Sequence, residues 1–300
     1  MNQRIWGIPI MSDSRDFKKE YDLFLKKTPY QKIVVDGMEV RYQYGGKDGA
    51  PVILFFNGLE MQEMWMPYAK KLGKEYRFLI YEYPFYTTKA DEQIDFVVKL
   101  LSALSIEKVI LIGASDGGVY AQIFAKRYPE HVLKMILIST LTVDSDYLRD
   151  IRKKRFLTPV LLLLLELIPA KTEMNLLMDK SKGFLECESE ADQKYGREFY
   201  EIVTSDLNYK QRFIHSFKCV YMLKDYPFFE KNDFDYLRGR IQVLLPEKDI
   251  FKKEDQNRLA DLFRKLDAEI LDVPGGHLGC IVQSEYYIDL IEKFLKKNVI

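Results

Sequence analysis

Cysteine and histidine are scarce in this chain of 300 residues, with three of each. The cysteines are Cys187, Cys219 and Cys280, and the histidines are His131, His215 and His277. The cysteines lie far apart, no Cys-x-x-Cys pair exists, and no zinc-type spacing can be drawn from these six residues. We therefore expect no metal site, and the pattern is typical of reduced thiols in a cytoplasmic protein.

An excess of charge of one sign is also lacking, since 45 basic residues balance 45 acidic ones. The net charge therefore does not indicate electrostatic attraction to nucleic acid or to an anionic membrane surface as a partner. The longest apolar run, residues 156–168, contains Pro159 and Glu166 and is shorter than the ~20 residues of a membrane span. Gly7 and Pro9 interrupt the short apolar stretch at the N-terminus, so we expect no signal peptide and a soluble, cytoplasmic protein.

Buried strands alternate with amphipathic helices along most of the chain. An Asp36-Gly37 turn predicts a hairpin, and continuous apolar runs then predict strands at 52–56, 78–81, 109–112, 135–138, 241–245 and 269–273. Helical patterns lie between them at 62–72, 91–104, 116–128, 254–266 and 285–296. This alternation predicts an α/β fold with a mostly parallel sheet covered by helices on both faces.

The alternation stops between residues 144 and 236, where we predict a helical insertion, or cap, over one end of the sheet. The predicted organisation is thus a core of residues 1–143 with a helical leader at 14–27, a cap of residues 144–236, and the rest of the core at 237–300. The leucine-rich run 160–165 in the cap has two interpretations. It either packs against the rim of the sheet or lines a substrate pocket as an apolar lid.

The clearest chemical signal is Gly113-Ala114-Ser115-Asp116-Gly117-Gly118, which follows a predicted strand and opens a predicted helix. A Gly-x-Ser-x-Gly elbow places serine on a strained strand-to-helix turn, where larger neighbours would collide with the adjacent strand or helix. We predict that Ser115 is a nucleophile rather than a structural turn serine.

A serine nucleophile needs a histidine base and an acid that orients the base. His277 follows the last predicted strand, whereas His131 lies in a turn at the other end of the sheet and His215 lies on a helix of the insertion. We therefore predict His277 as the base.

The predicted acid is Asp249, in the loop after strand 241–245. Glu247 is an alternative acid near Asp249, and Asp144 and Asp146 are second-choice acids. The chain order of nucleophile, acid and histidine matches one of the known serine-hydrolase orders.

These motifs and their order resemble the α/β-hydrolase superfamily, including an insertion after the sixth strand. The resemblance implies a Ser115–Asp249–His277 triad and an oxyanion hole formed by the backbone N–H groups of Leu59 and Asp116. The segment Phe56-Asn57-Gly58-Leu59 corresponds to the family's His-Gly-x loop, with Asn57 in place of histidine and expected to cap the loop by hydrogen bonding.

The stretch Tyr81-Glu82-Tyr83-Pro84 and the elbow look most like the maspardin-like branch of this superfamily. Maspardin itself is regarded as an adaptor that has lost a working triad, whereas here the Gly-Gly pair is followed by His277.

Several side chains near the predicted site have two interpretations. The Asp116 carboxylate either points to solvent in the first helical turn or makes a polar contact with the cap or substrate. Asn57, Gly58 and Trp65 are candidate substrate contacts, although core packing explains Trp65 equally well.

The expected function is that of a cofactor-free serine hydrolase. It would cleave a small or medium hydrophobic ester or thioester through an acyl-enzyme, so its partner would be a small molecule with an acyl group. The sequence does not indicate an oligomeric state. The alternatives are a non-catalytic binding or adaptor protein that keeps the fold, and cleavage of a C–C or C–CN bond at the same site.

Overall fold

The computed structural model describes residues 15–154, 156–186, 188–206, 208–230 and 232–297. Cys187 and the N-terminal segment assessed for a signal peptide lie outside these residues, as does residue 14 of the predicted leader. The other two cysteines, Cys219 and Cys280, are buried free thiols.

The described residues form one eight-stranded sheet with the spatial order β1-β2-β4-β3-β5-β6-β7-β8. The strands are β1 Gln31–Val35, β2 Met38–Gly46, β3 Val52–Phe56, β4 Arg77–Tyr81, β5 Val109–Ala114, β6 Val132–Ile138, β7 Ile241–Lys248 and β8 Glu269–Gly276. β1 pairs antiparallel with β2, and β2 antiparallel with β4, while the remaining pairs are parallel. The predicted hairpin and mostly parallel sheet are thus confirmed.

Helices cover both faces of the sheet. They are α1 Phe17–Lys27, α2 Met66–Leu72, α3 Ala90–Ala103, α4 Asp116–Arg127, α5 Asp146–Lys153, α6 Leu157–Leu167, α7 Ala170–Leu185, α8 Glu190–Ser205, α9 Tyr209–Leu223, α10 Lys253–Arg264, α11 Gly279–Val282 and α12 Ser284–Leu295. α5 to α9 lie between β6 and β7, inside the segment that the sequence marks as an insertion. The strands β3 and β5 are buried at every residue, which explains their uninterrupted apolar sequence.

The parallel strands bring distant loops together at one edge of the sheet. Phe56 at the end of β3 lies beside Gly113 near the end of β5 in the strand register. The oxyanion loop, which we define as residues 57–63, therefore starts next to the elbow of Ser115. β7 and β8 end at the same edge, because Lys248 pairs with Gly276. The loops that follow them carry Asp249 and His277 towards that elbow.

The leucine-rich run lies in α6, and the structure contradicts both interpretations of it. Within this helix Leu162 alone is buried, and the main neighbour of α6 is the helix α9 rather than the sheet. None of the residues that line the cavity beside Ser115 belongs to α6. α6 has 11 residues, and no helix among the described residues is both long and apolar enough to cross a membrane.

Candidate active site

The elbow holds Ser115 in a backbone conformation that side chains rarely adopt, with φ of 54°. Glycine is required at positions 113 and 117 because neighbouring backbone atoms leave no space for a side chain. A Cβ atom at Gly113 would lie 2.7 Å from the carbonyl oxygen of Gly117, and one at Gly117 would lie 2.3 Å from the carbonyl oxygen of Phe56. The collisions predicted from the sequence are therefore present on both sides of the serine.

Ser115, His277 and Asp249 form one hydrogen-bonded chain. The Nε2 atom of His277 lies 3.1 Å from Ser115 Oγ, and its Nδ1 atom lies 2.7 Å from Asp249 Oδ1. The Asp249 side chain is 1% exposed, and the ring of Phe251 meets the imidazole edge-on at 5.1 Å. The three residues come from three separate loops, and their spacing is that of a nucleophile, a base and an orienting acid.

The other candidate acids and histidines lie elsewhere. Glu247 is exposed, and Asp146 forms ion pairs with Arg149 and Arg258. His131 bonds through Nδ1 to the carbonyl oxygen of Glu107 at the opposite end of the sheet, as the sequence predicts. Among the described carboxylates, Asp249 is the one that forms an ion pair with His277.

The oxyanion loop is strained and tightly packed against the elbow. Leu59 and Glu60 both have positive φ values, of 45° and 55°. Gly58 is required by close approach, because a Cβ atom there would lie 2.9 Å from the Cβ of Ser115. Asn57 does not cap the loop as expected. Its amide instead donates to the carbonyl oxygen of Tyr81 at 3.1 Å and so fastens the start of the loop to β4.

The Asp116 carboxylate points inward, which excludes the solvent-facing interpretation and agrees with the other one, a polar contact with the inserted helices. Its Oδ1 atom accepts a 2.8 Å hydrogen bond from the backbone N–H of Leu59, and Oδ2 lies 3.4 Å from the hydroxyl of Ser216 on α9. Burial raises the pKa of the Asp116 carboxyl to about 7, although the N–H groups of Leu59 and of Asp116 itself oppose that shift. The amide groups expected to form the oxyanion hole are thus directed at a protein carboxylate.

A cavity of about 280 Å³ opens beside Ser115, between the sheet edge and the helices of the insertion. Its wall is mainly apolar, with polar groups concentrated near the triad. The lining residues are Gly58, Leu59, Met61, Met64, Ala114, Ser115, Asp116, Val119, Ser139, Leu141, Tyr147, Leu148, Phe184, Tyr200, Phe213, Phe217, Val220, Leu223, Ile250, Phe251, His277, Leu278, Cys280 and Ile281.

Two of the three predicted substrate contacts are not in this wall. The Asn57 side chain is buried beneath the loop, and Trp65 is fully buried with its ring stacked on Phe55 at 4.7 Å. Gly58 does line the cavity. The Trp65 indole is therefore part of the core, because its apolar area is better accommodated beneath the loop than at the cavity surface.

A second polar cluster, which sequence reasoning missed, joins the oxyanion loop to α9. Glu60 bonds to His215 Nδ1, whose Nε2 lies 2.9 Å from the Thr87 carbonyl oxygen, and Arg212 pairs with Glu63 at 3.1 Å. Burial opposes protonation of His215, but hydrogen bonds with Cys219 and Glu60 and the charge of Glu60 outweigh it and raise the pKa of His215 to about 10.

This cluster is also the place where the described residues bring metal-type donor atoms together. One donor atom each from Glu60, His215 and Cys219 lies within 4.8 Å of the others. Both ring nitrogens of His215 already face protein oxygens, so the imidazole is held as part of a buried hydrogen-bonded group. Glu60 is 155 residues from His215 in sequence, so no local spacing reveals their contact.

A family model for the α/β hydrolase fold matches residues 51–283. The chain belongs to the α/β-hydrolase family. Among solved structures, the fold resembles MGS-M2, an α/β hydrolase enzyme from a deep-sea metagenome library of the Medee basin, with a TM-score of 0.71 and 16% identity. That match covers 90% of this chain and 98% of the other.

Curated relatives match shorter segments of the chain. Serine hydrolase BPHL of Homo sapiens is 30% identical over 146 residues, which is 41% of this chain and 49% of that protein. Epoxide hydrolase 4 of Mus musculus is 28% identical over 121 residues, or 37% of this chain and 34% of that protein. The matches thus span about a third to a half of these relatives. The maspardin-like branch and the exact domain boundaries stay predictions.

Proposed function

We propose that this α/β hydrolase is a cofactor-free serine hydrolase that cleaves a hydrophobic carboxylic ester or thioester. The observation that supports this proposal best is the continuous hydrogen-bonded chain from Ser115 through His277 to Asp249 at the mouth of an apolar cavity. A serine hydroxyl that reaches a base, which in turn reaches a buried acid, is the arrangement that activates serine for attack on a carbonyl carbon.

In the proposed reaction, Ser115 Oγ attacks the carbonyl carbon of the substrate while His277 Nε2 takes the hydroxyl proton. Asp249 accepts a hydrogen bond from His277 Nδ1 and stabilises the imidazolium. His277 then gives the proton to the leaving alcohol or thiol, and the acyl group remains on Ser115. A water molecule, activated by the same imidazole, finally releases the carboxylic acid.

The reaction requires the Asp116 carboxylate to release the backbone N–H of Leu59. The tetrahedral intermediate needs the N–H groups of Leu59 and Asp116, yet the Asp116 carboxylate accepts a hydrogen bond from Leu59 in this structure. The carboxylate and the developing oxyanion carry the same charge and compete for the same donors. We propose that the carboxylate gives up the Leu59 N–H when substrate is bound, and that this exchange is easier when Asp116 is protonated.

The cavity supports a small or medium acyl group as the substrate. Its volume of about 280 Å³ is near the lower limit of ligand pockets, which span roughly 300–1,000 Å³. Aromatic side chains of the cap helix α9, Phe213 and Phe217, and aliphatic residues such as Leu141 from the core form its wall. Such a wall favours a hydrocarbon chain over a charged or sugar-like group.

The test is hydrolysis of p-nitrophenyl esters from acetate to palmitate by the wild type and by Ser115→Ala. We expect kcat/KM to fall by roughly 10³- to 10⁶-fold in the variant. Ser102→Ala changes an exposed serine of α3 and is the matched control, with unchanged rates expected. Equal hydrolysis by the wild type and Ser115→Ala would refute the proposal.

One observation favours a second candidate function, that of a binding or adaptor protein with an idle triad. It is the occupied Leu59 N–H, because a site that fills its own oxyanion hole is not ready for catalysis. A folded wild type that binds apolar ligands in the cavity but hydrolyses no ester at any pH between 5 and 9 would support this function instead.

A further inference from the structure

The helix α6 exposes a wide apolar face, which we define as Leu157, Val160, Leu161, Leu163, Leu164 and Leu167. Each of these side chains is between 50% and 72% exposed. At ~100° per residue they cover an arc of about 160° on the helix surface. The polar residues Thr158 and Glu166 lie outside this arc, and Glu166 forms an ion pair with Lys218 of α9.

Phe156, just before the helix, extends the apolar face and is 79% exposed. Contiguous patches of this kind mark contact sites in soluble proteins, because leaving them in water is unfavourable. We propose that the apolar face of α6 docks the protein on an anionic lipid surface.

Basic residues border the apolar face at both ends. Residues 152–155 are Arg-Lys-Lys-Arg in the sequence, and Lys153 and Lys154 are exposed in the structure. At the other end Lys171 is exposed in the first turn of α7. An apolar helix face flanked by lysine and arginine lies in a membrane interface, with its hydrocarbon among the acyl chains and its cations at anionic headgroups. The chain-wide balance of charge hides this local pattern.

The composition of the apolar face favours lipid over a protein partner. Protein interfaces depend on Tyr, Trp and Arg anchors and on about one hydrogen bond per 100–200 Å², and leucine is under-represented among their strongest contributors. The apolar face of α6 consists of five leucines and a valine and offers no side-chain donor or acceptor. A fluid hydrocarbon phase requires neither anchors nor hydrogen bonds from its partner.

The position of α6 connects this surface to the cavity. α6 packs on α9, where Lys210 and Lys218 bond to Glu166. Phe213 and Phe217 on α9 line the cavity beside Ser115. Docking through α6 would therefore place one wall of the cavity next to the lipid, where molecules with apolar chains are concentrated.

The test is co-flotation of the full chain with vesicles of phosphatidylcholine that contain a minority of phosphatidylglycerol, and with vesicles of phosphatidylcholine alone. We expect the double variant Leu161→Glu/Leu164→Glu to bind the anionic vesicles at least about tenfold more weakly than the wild type. The control Leu23→Glu/Val34→Glu adds the same charge at two exposed apolar residues of α1 and β1 and should bind like the wild type.

The charge contribution is tested with Lys153→Gln/Lys154→Gln. Each basic residue near an anionic surface adds ~1 kcal/mol, so removal of two should weaken binding by roughly 10- to 30-fold on anionic vesicles and hardly at all on neutral ones. This variant leaves the apolar face intact. It therefore still tests binding to anionic lipid in case the glutamate variant does not fold. Because the readout is binding, it does not depend on whether the protein hydrolyses esters.

Two results would overturn the proposal. One is a wild type that floats with neither kind of vesicle. The other is a glutamate variant that binds as well as the wild type and its control. If the wild type binds no vesicle but is a dimer in light scattering, and Leu161→Glu/Leu164→Glu is a monomer, then the apolar face is an interface between two copies of the chain.

Discussion

Asp116 is the residue whose protonation should most affect the proposed chemistry. The pKa of its carboxyl is raised to about 7 from an ordinary value of 3.8, so it ionises within the working range of a serine hydrolase. Above pH 7 a charged carboxylate competes for the Leu59 N–H, and below pH 7 a weaker, neutral acceptor does so. The neighbouring groups that share its field are Glu60 of the oxyanion loop and His277.

We predict that Asp116→Asn is more active than the wild type at alkaline pH. The kcat/KM of the variant divided by that of the wild type should rise as pH increases through about 7. The ratio matters because it isolates the effect of the Asp116 charge from pH effects that both proteins share. A pH profile of p-nitrophenyl ester hydrolysis measures it. A constant ratio, or one that falls with pH, would contradict the competition between the carboxylate and the oxyanion.

The same carboxyl makes a prediction for stability. Its folded pKa lies above the unfolded value, so the folded state binds the extra proton and the free energy of unfolding falls as pH rises from about 4 to about 7. A shift of about three pKa units corresponds to at most about 4 kcal/mol. Urea unfolding should show Asp116→Asn gaining stability relative to the wild type over this pH range, and parallel curves would refute the buried position of the carboxylate.

At the scale of single elements, the elbow between β5 and α4 depends on the absence of side chains. Gly117→Ala should destabilise the protein by roughly 1–3 kcal/mol, because its Cβ would lie 2.3 Å from the Phe56 carbonyl oxygen and would push the strand β3 away. Gly183→Ala is the matched control, since nothing lies within 4 Å of its Cβ on α7.

That control should stabilise the protein by about 0.5–1 kcal/mol, because alanine loses less backbone freedom in a helix than glycine does. Thermal unfolding of both variants provides the comparison. Equal effects of the two substitutions would contradict the close packing at the elbow.

The hydrogen bond between His215 of α9 and Glu60 of the oxyanion loop should contribute less to stability as pH rises. The pKa of His215 is raised to about 10 from 6.5, so the stability that its pairing with Glu60 contributes is fully present below pH 6.5 and is lost as pH rises through 10. The double variant Glu60→Gln/His215→Gln lacks this dependence. The difference in unfolding free energy between wild type and variant should therefore shrink between pH 7 and 10, and a constant difference would refute a charged His215.

Much of the core could be predicted from the sequence because its signals are local. The continuous apolar strands β3 and β5 and the Asp36-Gly37 turn each specify a structure within a few residues. The sequence order of elbow, acid loop and Gly-Gly-His was enough to choose Ser115, Asp249 and His277, because parallel strands end at one edge of the sheet.

The errors concern where side chains point, which depends on distant parts of the chain. The direction of the Asp116 carboxylate stayed open for the same reason, because the Leu59 N–H that it contacts is 57 residues away. Trp65 is core because the Phe55 ring covers it, and α6 is exposed because α9 rather than the sheet is its neighbour. Composition cannot distinguish an apolar helix that packs from one that faces outward.

At the scale of the whole molecule, the proposed function makes the cavity between the sheet edge and the helices inserted between β6 and β7 the limit on the size of the acyl group. We predict that esters of short and medium chains are hydrolysed faster than palmitate, because the cavity holds about 280 Å³. Phe217→Ala removes a ring from its wall and should shift the preferred chain length upward. Phe228→Ala, at an exposed ring outside the cavity, should leave the preference unchanged. An identical preference in all three proteins would show that this cavity does not receive the acyl chain.

The central claim is that Ser115 is a nucleophile activated by His277, and covalent labelling tests it without knowledge of the substrate. The wild type, Ser115→Ala and His277→Ala are each treated with a fluorophosphonate, and the adduct is located by intact mass and peptide mapping. The account predicts one adduct on Ser115 in the wild type, none in Ser115→Ala, and labelling slowed by at least about 100-fold in His277→Ala. A folded wild type that stays unlabelled, or an adduct on another serine, would contradict it.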